Sequence, residues 1–296
     1  MCVGRSSAIK ATPPWSAQQS ENQLGQIQYH RAHLIHLTSW SFSLDQGTFQ
    51  QPRKIKRGFS VFPVDHEFNT HKTAVSTVCL NLQDAKSQAL VESMVSQTKP
   101  AAVHLGLPCG TCSRARDKPL PPHLRAQFHD PPTLRDANNL LGFPTLTGTQ
   151  ALKVNIANDL YRWGVRMLYL CWKNGIRVSI ENPERSWLWG VLTLLVKEYE
   201  DTDFLRWFEE LDRVTFHMCM HGGSRAKNTR LLATPGLYTT LMAPCDGQHQ
   251  HAPWGITRIG NSLHYDTAAE AEYPHLLCQR IDRKSTRLNS SHVKRS

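Results

Sequence analysis

The stretch AAVHLGLPCGTCSRAR, residues 101–116, constrains this chain more than any other. Val103, Leu105 and Leu107 make a short apolar run that Pro108 interrupts. Cys109 stands just past the break, and Gly110, Thr111 and Ser113 let the backbone turn before a basic segment begins. A buried strand, a sharp exit and then a nucleophilic side chain is the arrangement expected at the carboxyl end of a parallel strand, where ligands of open α/β sheets collect. Upstream, residues 85–97 place Leu90, Val91, Met94 and Val95 on one helical face. Strand, helix and strand therefore lead into Cys109 in the order that predicts a parallel sheet.

The remaining pattern extends that frame. Residues 34–44 alternate loosely and predict a first strand; 59–65 predict a second that ends in Asp65, and 78–84 a third that ends in Asp84. The clearest helix is 149–174, where Leu152, Ile156, Leu160, Trp163, Met167 and Leu170 recur at spacings of three and four and Gly175 follows as a stop. That stripe reads as core. It leads into a strand over 176–180 and then Glu181-Asn182-Pro183, followed by helical pieces over 187–199 and 204–211. Residues 214–220 alternate as a strand before a basic turn carrying Arg225, Lys227 and Arg230. Between the cysteine and the long helix, 118–147 hold Pro119, Pro121, Pro122, Pro131, Pro132, Gly142 and Pro144, which exclude a regular element. A connection of that length is a mobile functional segment or a solvated insertion.

Two of these features carry a resemblance. Pro108-Cys109, three further residues and Ser113 resemble the nucleophile motif of the cytosine-C5 DNA methyltransferases. VSIENP, residues 178–183, resembles the strand that supplies the same family's cytosine-contacting glutamate. The resemblance spans roughly residues 40–235. It implies a Rossmann-like, doubly wound, mostly parallel sheet of S-adenosylmethionine-dependent methyltransferase type. It further implies Cys109 as nucleophile and Glu181 as the cytosine-binding acid, with Asn182, Pro108 and Ser113 shaping the site. S-adenosylmethionine would lie against Gly47, Thr48, Asp65 and Asp84, although Phe49 stands near the place of the family's second loop glycine. Cytosine must leave the duplex to be reached, so DNA is the expected partner. Arg114 and Arg116 beside the cysteine and Arg225, Lys227 and Arg230 in the later turn are the expected phosphate contacts. From the residues alone, Cys109 is a nucleophile, or a small buried or metal-binding cysteine paired with Cys112 in a C-x-x-C. Asp65 equally suits a ribose contact or a turn cap, and the basic turn a phosphate contact or a solvated hairpin tip.

Composition sets the outer limits. The chain has 296 residues, 40% of them apolar and 20% charged, enough for one good core. No run reaches the roughly 18 apolar residues of a membrane span, and eight cysteines are too sparse for a disulfide framework. An intracellular, and with DNA as partner nuclear, setting is expected. The last fourteen residues, RKSTRLNSSHVKRS, resemble a translated sequencing adapter. Without Arg283, Lys284, Arg287, Lys294 and Arg295 the formal charge falls from +10 to +5 (10 − 5), mildly basic. The natural chain is then expected to continue beyond Asp282.

Near that end, Cys245, His249 and His251 fall within seven residues, with Cys219 and His221 upstream. Soft sulfur and imidazole at such spacing suit Zn²⁺, or else a polar loop with local hydrogen bonds. This segment and AEAEYPHLLCQRI also resemble parts of dinoflagellate-type retroelement polyproteins. The expected organisation is a disordered segment over 1–33, a methyltransferase-like domain over 34–238, a small Cys/His region over 239–282 and an artefactual tail over 283–296. The alternative function is a catalytically inactive nucleic-acid-binding domain of a retroelement polyprotein.

Overall fold

The computed structural model describes residues 33–38, 60–65, 77–259, 262–265 and 273–281. All lie in one compact unit, residues 32–296. The expectations for 1–32, for the loop with Gly47, Thr48 and Phe49, and for the tail 283–296 lie outside the described residues, while His33, the last residue of the segment expected to be disordered, begins a strand.

The fold is α/β, built on a mixed sheet of seven strands in the order β3-β2-β1-β4-β5-β7-β6. The strands are β1 (His33–Thr38), β2 (Ser60–Asp65), β3 (Val78–Cys79), β4 (Ala102–Gly106), β5 (Arg177–Pro183), β6 (Asp212–His217) and β7 (Asn228–Ala233). β3, β2, β1, β4 and β5 run parallel, and β7 lies antiparallel to both β5 and β6. β4 is central and all five of its residues are buried, which is why it reads as a continuous apolar run rather than an alternation. A separate antiparallel pair, β8 (Ile256–Ile259) and β9 (Ser262–Tyr265), follows.

Helix α1 (Ala85–Thr98) connects β3 to β4, with Asp84 as its N-cap accepting from the Ser87 amide. The third strand is accordingly shorter than the expected 78–84: it ends at Cys79, and the chain turns to place Asp84 at the helix start. Helix α2 (Gly148–Lys173) spans most of the expected 149–174. Its buried face, however, is not the expected stripe. Val154, Ala157, Asn158, Tyr161, Val165, Leu168 and Cys171 are buried alongside Trp163 and Met167, whereas Leu152 is 59% exposed. The helix is turned so that Asn158 and Tyr161 face inward, because both have hydrogen-bond partners there. Gly164 sits on that same face: a Cβ there would lie 3.0 Å from Leu107, so its absence lets β4 exit directly beneath the helix.

Helices α3 (Leu188–Val196) and α4 (Thr202–Glu210) complete this layer. Phe204 of α4 packs against Tyr169, Trp172 and Tyr199. Around β6 and β7, Val214, Phe216, Met218, Leu231, Leu237, Tyr238 and Leu241 form a second cluster. Leu277 and Ile281 of the last described helix, residues 275–281, complete it. Leu241, Tyr273, Leu277 and Ile281 therefore pack against the cluster of the preceding residues.

Candidate functional site

Two sites emerge, one at the carboxyl edge of the sheet and one beside the β6–β7 hairpin.

At the edge, Gly106 of β4 is paired in register with Glu181 of β5. Immediately beyond, the two motifs are stitched together. Asn182 donates from Nδ2 to the Leu107 carbonyl at 2.9 Å, the Trp187 amide donates to the Cys112 carbonyl at 3.0 Å, and Ser186 Oγ donates to that carbonyl at 3.4 Å. The Tyr161 hydroxyl of α2 donates to the Pro108 carbonyl at 2.6 Å. Within the turn, the Cys112 amide closes onto the Cys109 carbonyl at 3.0 Å, and Ser113 Oγ caps the short helical turn Arg114–Asp117. Cys109 is half-buried, while Cys112 is completely buried beneath it. Pro108, Cys109, Ser113, Glu181 and Asn182 are thus brought to one place.

The electrostatics join Cys109 to Glu181. Burial pushes the Cys109 thiol up, Lys227 opposes that, and the Glu181 carboxylate adds to it. Lys227 Nζ stands 3.8 Å from Glu181 Oε1, with both side chains mostly buried. That oxygen accepts no hydrogen bond among the described residues. Glu181 also holds Tyr273, whose hydroxyl titrates well above the usual phenol range because it is buried and bonded to the carboxylate. Tyr273 reaches on to His104 Nε2 at 3.2 Å, and His104 Nδ1 to Ser179 Oγ at 2.8 Å. Lys227 and Tyr273 therefore both orient Glu181.

The other expected residues fall as follows. Asp65 ends β2 at the same edge, buried, and its carbonyl accepts from the Leu80 amide at 2.9 Å. Asp84 lies exposed at the start of α1, its carboxylate occupied as cap. Arg114 pairs with Asp117 at 3.0 Å and stacks over Trp187; Arg116 donates to the Gly110 carbonyl at 2.8 Å. Arg230 pairs with Glu184 at 3.2 Å and covers Trp189. Arg225 donates to the Pro253 carbonyl at 3.0 Å. Only Lys227 of these five basic residues is paired with Glu181.

Sequence reading missed three participants. Arg135, 1% exposed, donates to the Leu140 carbonyl at 2.6 Å, Asn158 Oδ1 at 2.8 Å, Thr111 Oγ1 at 3.1 Å and the Val154 carbonyl at 3.3 Å. It pins the proline-rich connection to α2 and to the cysteine turn. Nothing around it in the sequence marks it as buried. His104, a polar residue inside the apolar run of β4, was a visible signal; Tyr273, far along the chain, was not.

At the second site, Cys219, Cys245, His249 and His251 bring one ligand atom each to within 4.8 Å of one another, a group compatible with zinc. Burial and the neighbouring Cys245 push the Cys219 thiol up to about 11. His221 belongs elsewhere: it is buried, donating to the Leu241 carbonyl at 3.0 Å and accepting from Arg280 at 2.9 Å. No known protein family, curated protein or solved structure gives a significant match to the chain. Among the described residues no helix is long and apolar enough to cross a membrane.

Proposed function

We propose that the chain is a DNA cytosine-C5 methyltransferase of the doubly wound type, with Cys109 as nucleophile. The observation that carries this reading is the meeting of Cys109, Glu181 and Lys227 at the carboxyl edge of β4 and β5. The strand order supports it: β3-β2-β1-β4-β5 reverses direction between β1 and β4, and ligands of doubly wound sheets bind at such a reversal.

In this reading the Cys109 thiolate adds to C6 of a flipped-out cytosine, forming a C–S bond and pushing an electron pair into the ring. Protonated Glu181 accepts from the exocyclic amine, donates to N3 and gives N3 its proton as that charge develops, which leaves a carboxylate facing Lys227. Lys227 stabilises the carboxylate between turnovers and draws the thiol towards ionisation. S-adenosylmethionine, when bound, supplies an electrophilic methyl group to C5. Loss of the C5 proton to a base then restores the C5–C6 double bond as the C–S bond breaks and Cys109 leaves as thiolate, and N3 returns its proton to Glu181. Asp65 fits a hydroxyl contact to that donor. It lies three strand spacings from Glu181 at the same level of the sheet, about 14 Å away.

The test is methyl transfer from S-adenosylmethionine to cytosine-containing DNA by the full chain. Transfer is expected, and Cys109→Ser should reduce it by about 10³-fold or more, the scale of losing a covalent nucleophile. Transfer that survives the substitution removes Cys109 from this role. The second reading, an inactive nucleic-acid-binding domain, is favoured by Phe49 near the place of the loop glycine. DNA binding without binding of S-adenosylmethionine would select it.

A further inference from the structure

We propose that Cys219, Cys245, His249 and His251 bind one structural Zn²⁺, and that this ion fixes the turn delivering Lys227 to Glu181. All four ligand atoms lie within 4.8 Å of one another, close enough for a tetrahedral ion to draw together. With Zn–S bonds of about 2.3 Å and Zn–N bonds of about 2.0–2.1 Å, neighbouring ligand atoms of a tetrahedron stand about 3.3–3.8 Å apart. Cys245 Sγ lies 3.4 Å from His251 Nε2 and 3.8 Å from His249 Nε2. Four protein ligands leave no open position, which marks a structural rather than a catalytic ion.

The surrounding groups complete the case. His249 offers Nε2 to the site while its Nδ1 stands 3.3 Å from the Asp246 carboxylate, the arrangement that fixes the tautomer of a zinc-binding histidine. The Gly247 amide donates to Cys245 Sγ at 3.4 Å, as it would to a thiolate. The loop itself needs such a cross-link. From Met242 to Ile256 no residue is buried, and residues 246–250 are all exposed. Burial of apolar surface therefore cannot hold this loop in place.

The site ties two stretches of chain together. Cys219 lies in the short helical turn Met218–His221 after β6, whereas the other ligands follow β7. Between those anchors runs the turn with Lys227. The Met218 amide donates to the Lys227 carbonyl at 2.9 Å, and the Ala252 amide, one residue past the His251 ligand, donates to the Ser224 carbonyl at 2.9 Å. Arg225 donates to the Pro253 carbonyl at 3.0 Å and stacks over Trp254. A metal at the base of the loop would thus hold residues 222–227 from both sides.

The experiment uses the full chain purified under reducing conditions without chelator. Elemental analysis should find about one zinc per chain. Cobalt exchanged into the site should show the visible absorption of a tetrahedral ion with thiolate ligands. Cys245→Ser and His249→Ala should lose the metal, whereas Cys79→Ser, outside the group, should keep it. His249→Cys should retain zinc, which separates ligand loss from misfolding. Hydrogen exchange should quicken over 217–228 and 244–254 on chelation and stay unchanged in β4 and α2. Zinc well below stoichiometric amounts, a Cys219–Cys245 disulfide in its place, retention by both ligand-deleted variants or unchanged exchange after chelation would each overturn the proposal. None of these readouts depends on methyl transfer.

Discussion

Cys109 sits between opposing influences, and their balance can be measured without any DNA. Burial and Glu181 hold its thiol above the ordinary value, and Lys227 pulls it down. Below its pKa, a thiol loses about tenfold in thiolate fraction for each unit that pKa rises. Alkylation of Cys109 by iodoacetamide, followed site by site with mass spectrometry, should therefore be slow at pH 8 and still rise beyond pH 9. Lys227→Met removes the lowering influence and should slow it about two- to tenfold; Glu181→Gln removes a raising influence and should quicken it by a similar factor. Equal rates in all three proteins would mean that the three groups do not share a site. Both motif residues were readable in the sequence because each ends an apolar run at a chain break. Their partners were not, since Tyr273 and Lys227 reach Glu181 only through tertiary packing.

Among the elements, α2 shows where hydropathy alone misleads. The helix was placed by its periodicity, yet its inward face carries Asn158 and Tyr161, and Leu152 of the expected stripe points to solvent. A moment built from apolar residues cannot register polar groups whose burial is compensated by specific hydrogen bonds. Here those bonds hold the cysteine turn and the proline-rich connection, so the orientation of the helix serves the site. Arg135 is the centre of that arrangement. Arg135→Met would leave the Asn158 and Thr111 oxygens and the Leu140 and Val154 carbonyls without this donor, several of them out of reach of water. The expected cost is about 3 kcal/mol or more, at about 1–3 kcal/mol for each buried group left unsatisfied. Urea denaturation measures it, and limited proteolysis should cut first within 118–147. An unchanged urea midpoint together with unchanged cleavage would show that the connection is held by other contacts.

On the scale of the whole molecule, apolar packing crosses residue 238. Composition suggested a break, because the 239–254 stretch is polar and rich in Cys and His. The apolar anchors Leu277 and Ile281 lie beyond it in a short segment with no long periodic run. They close the cluster made by Val214, Phe216, Leu231 and Leu241, on the side of the sheet where β7 runs against β5. Tyr273 enters from the same segment to reach Glu181 and His104. The last helix is therefore expected to unfold together with the sheet. Leu277, 1% exposed, tests this: Leu277→Ala should cost about 2–5 kcal/mol and lower the urea midpoint of the entire transition. The loss should appear equally in tryptophan fluorescence, to which α2, α3 and α4 contribute four of the eight tryptophans, and in hydrogen exchange at β4. If 239–282 were instead an independent region, the substitution would release an early, separate transition and leave the main midpoint where it was.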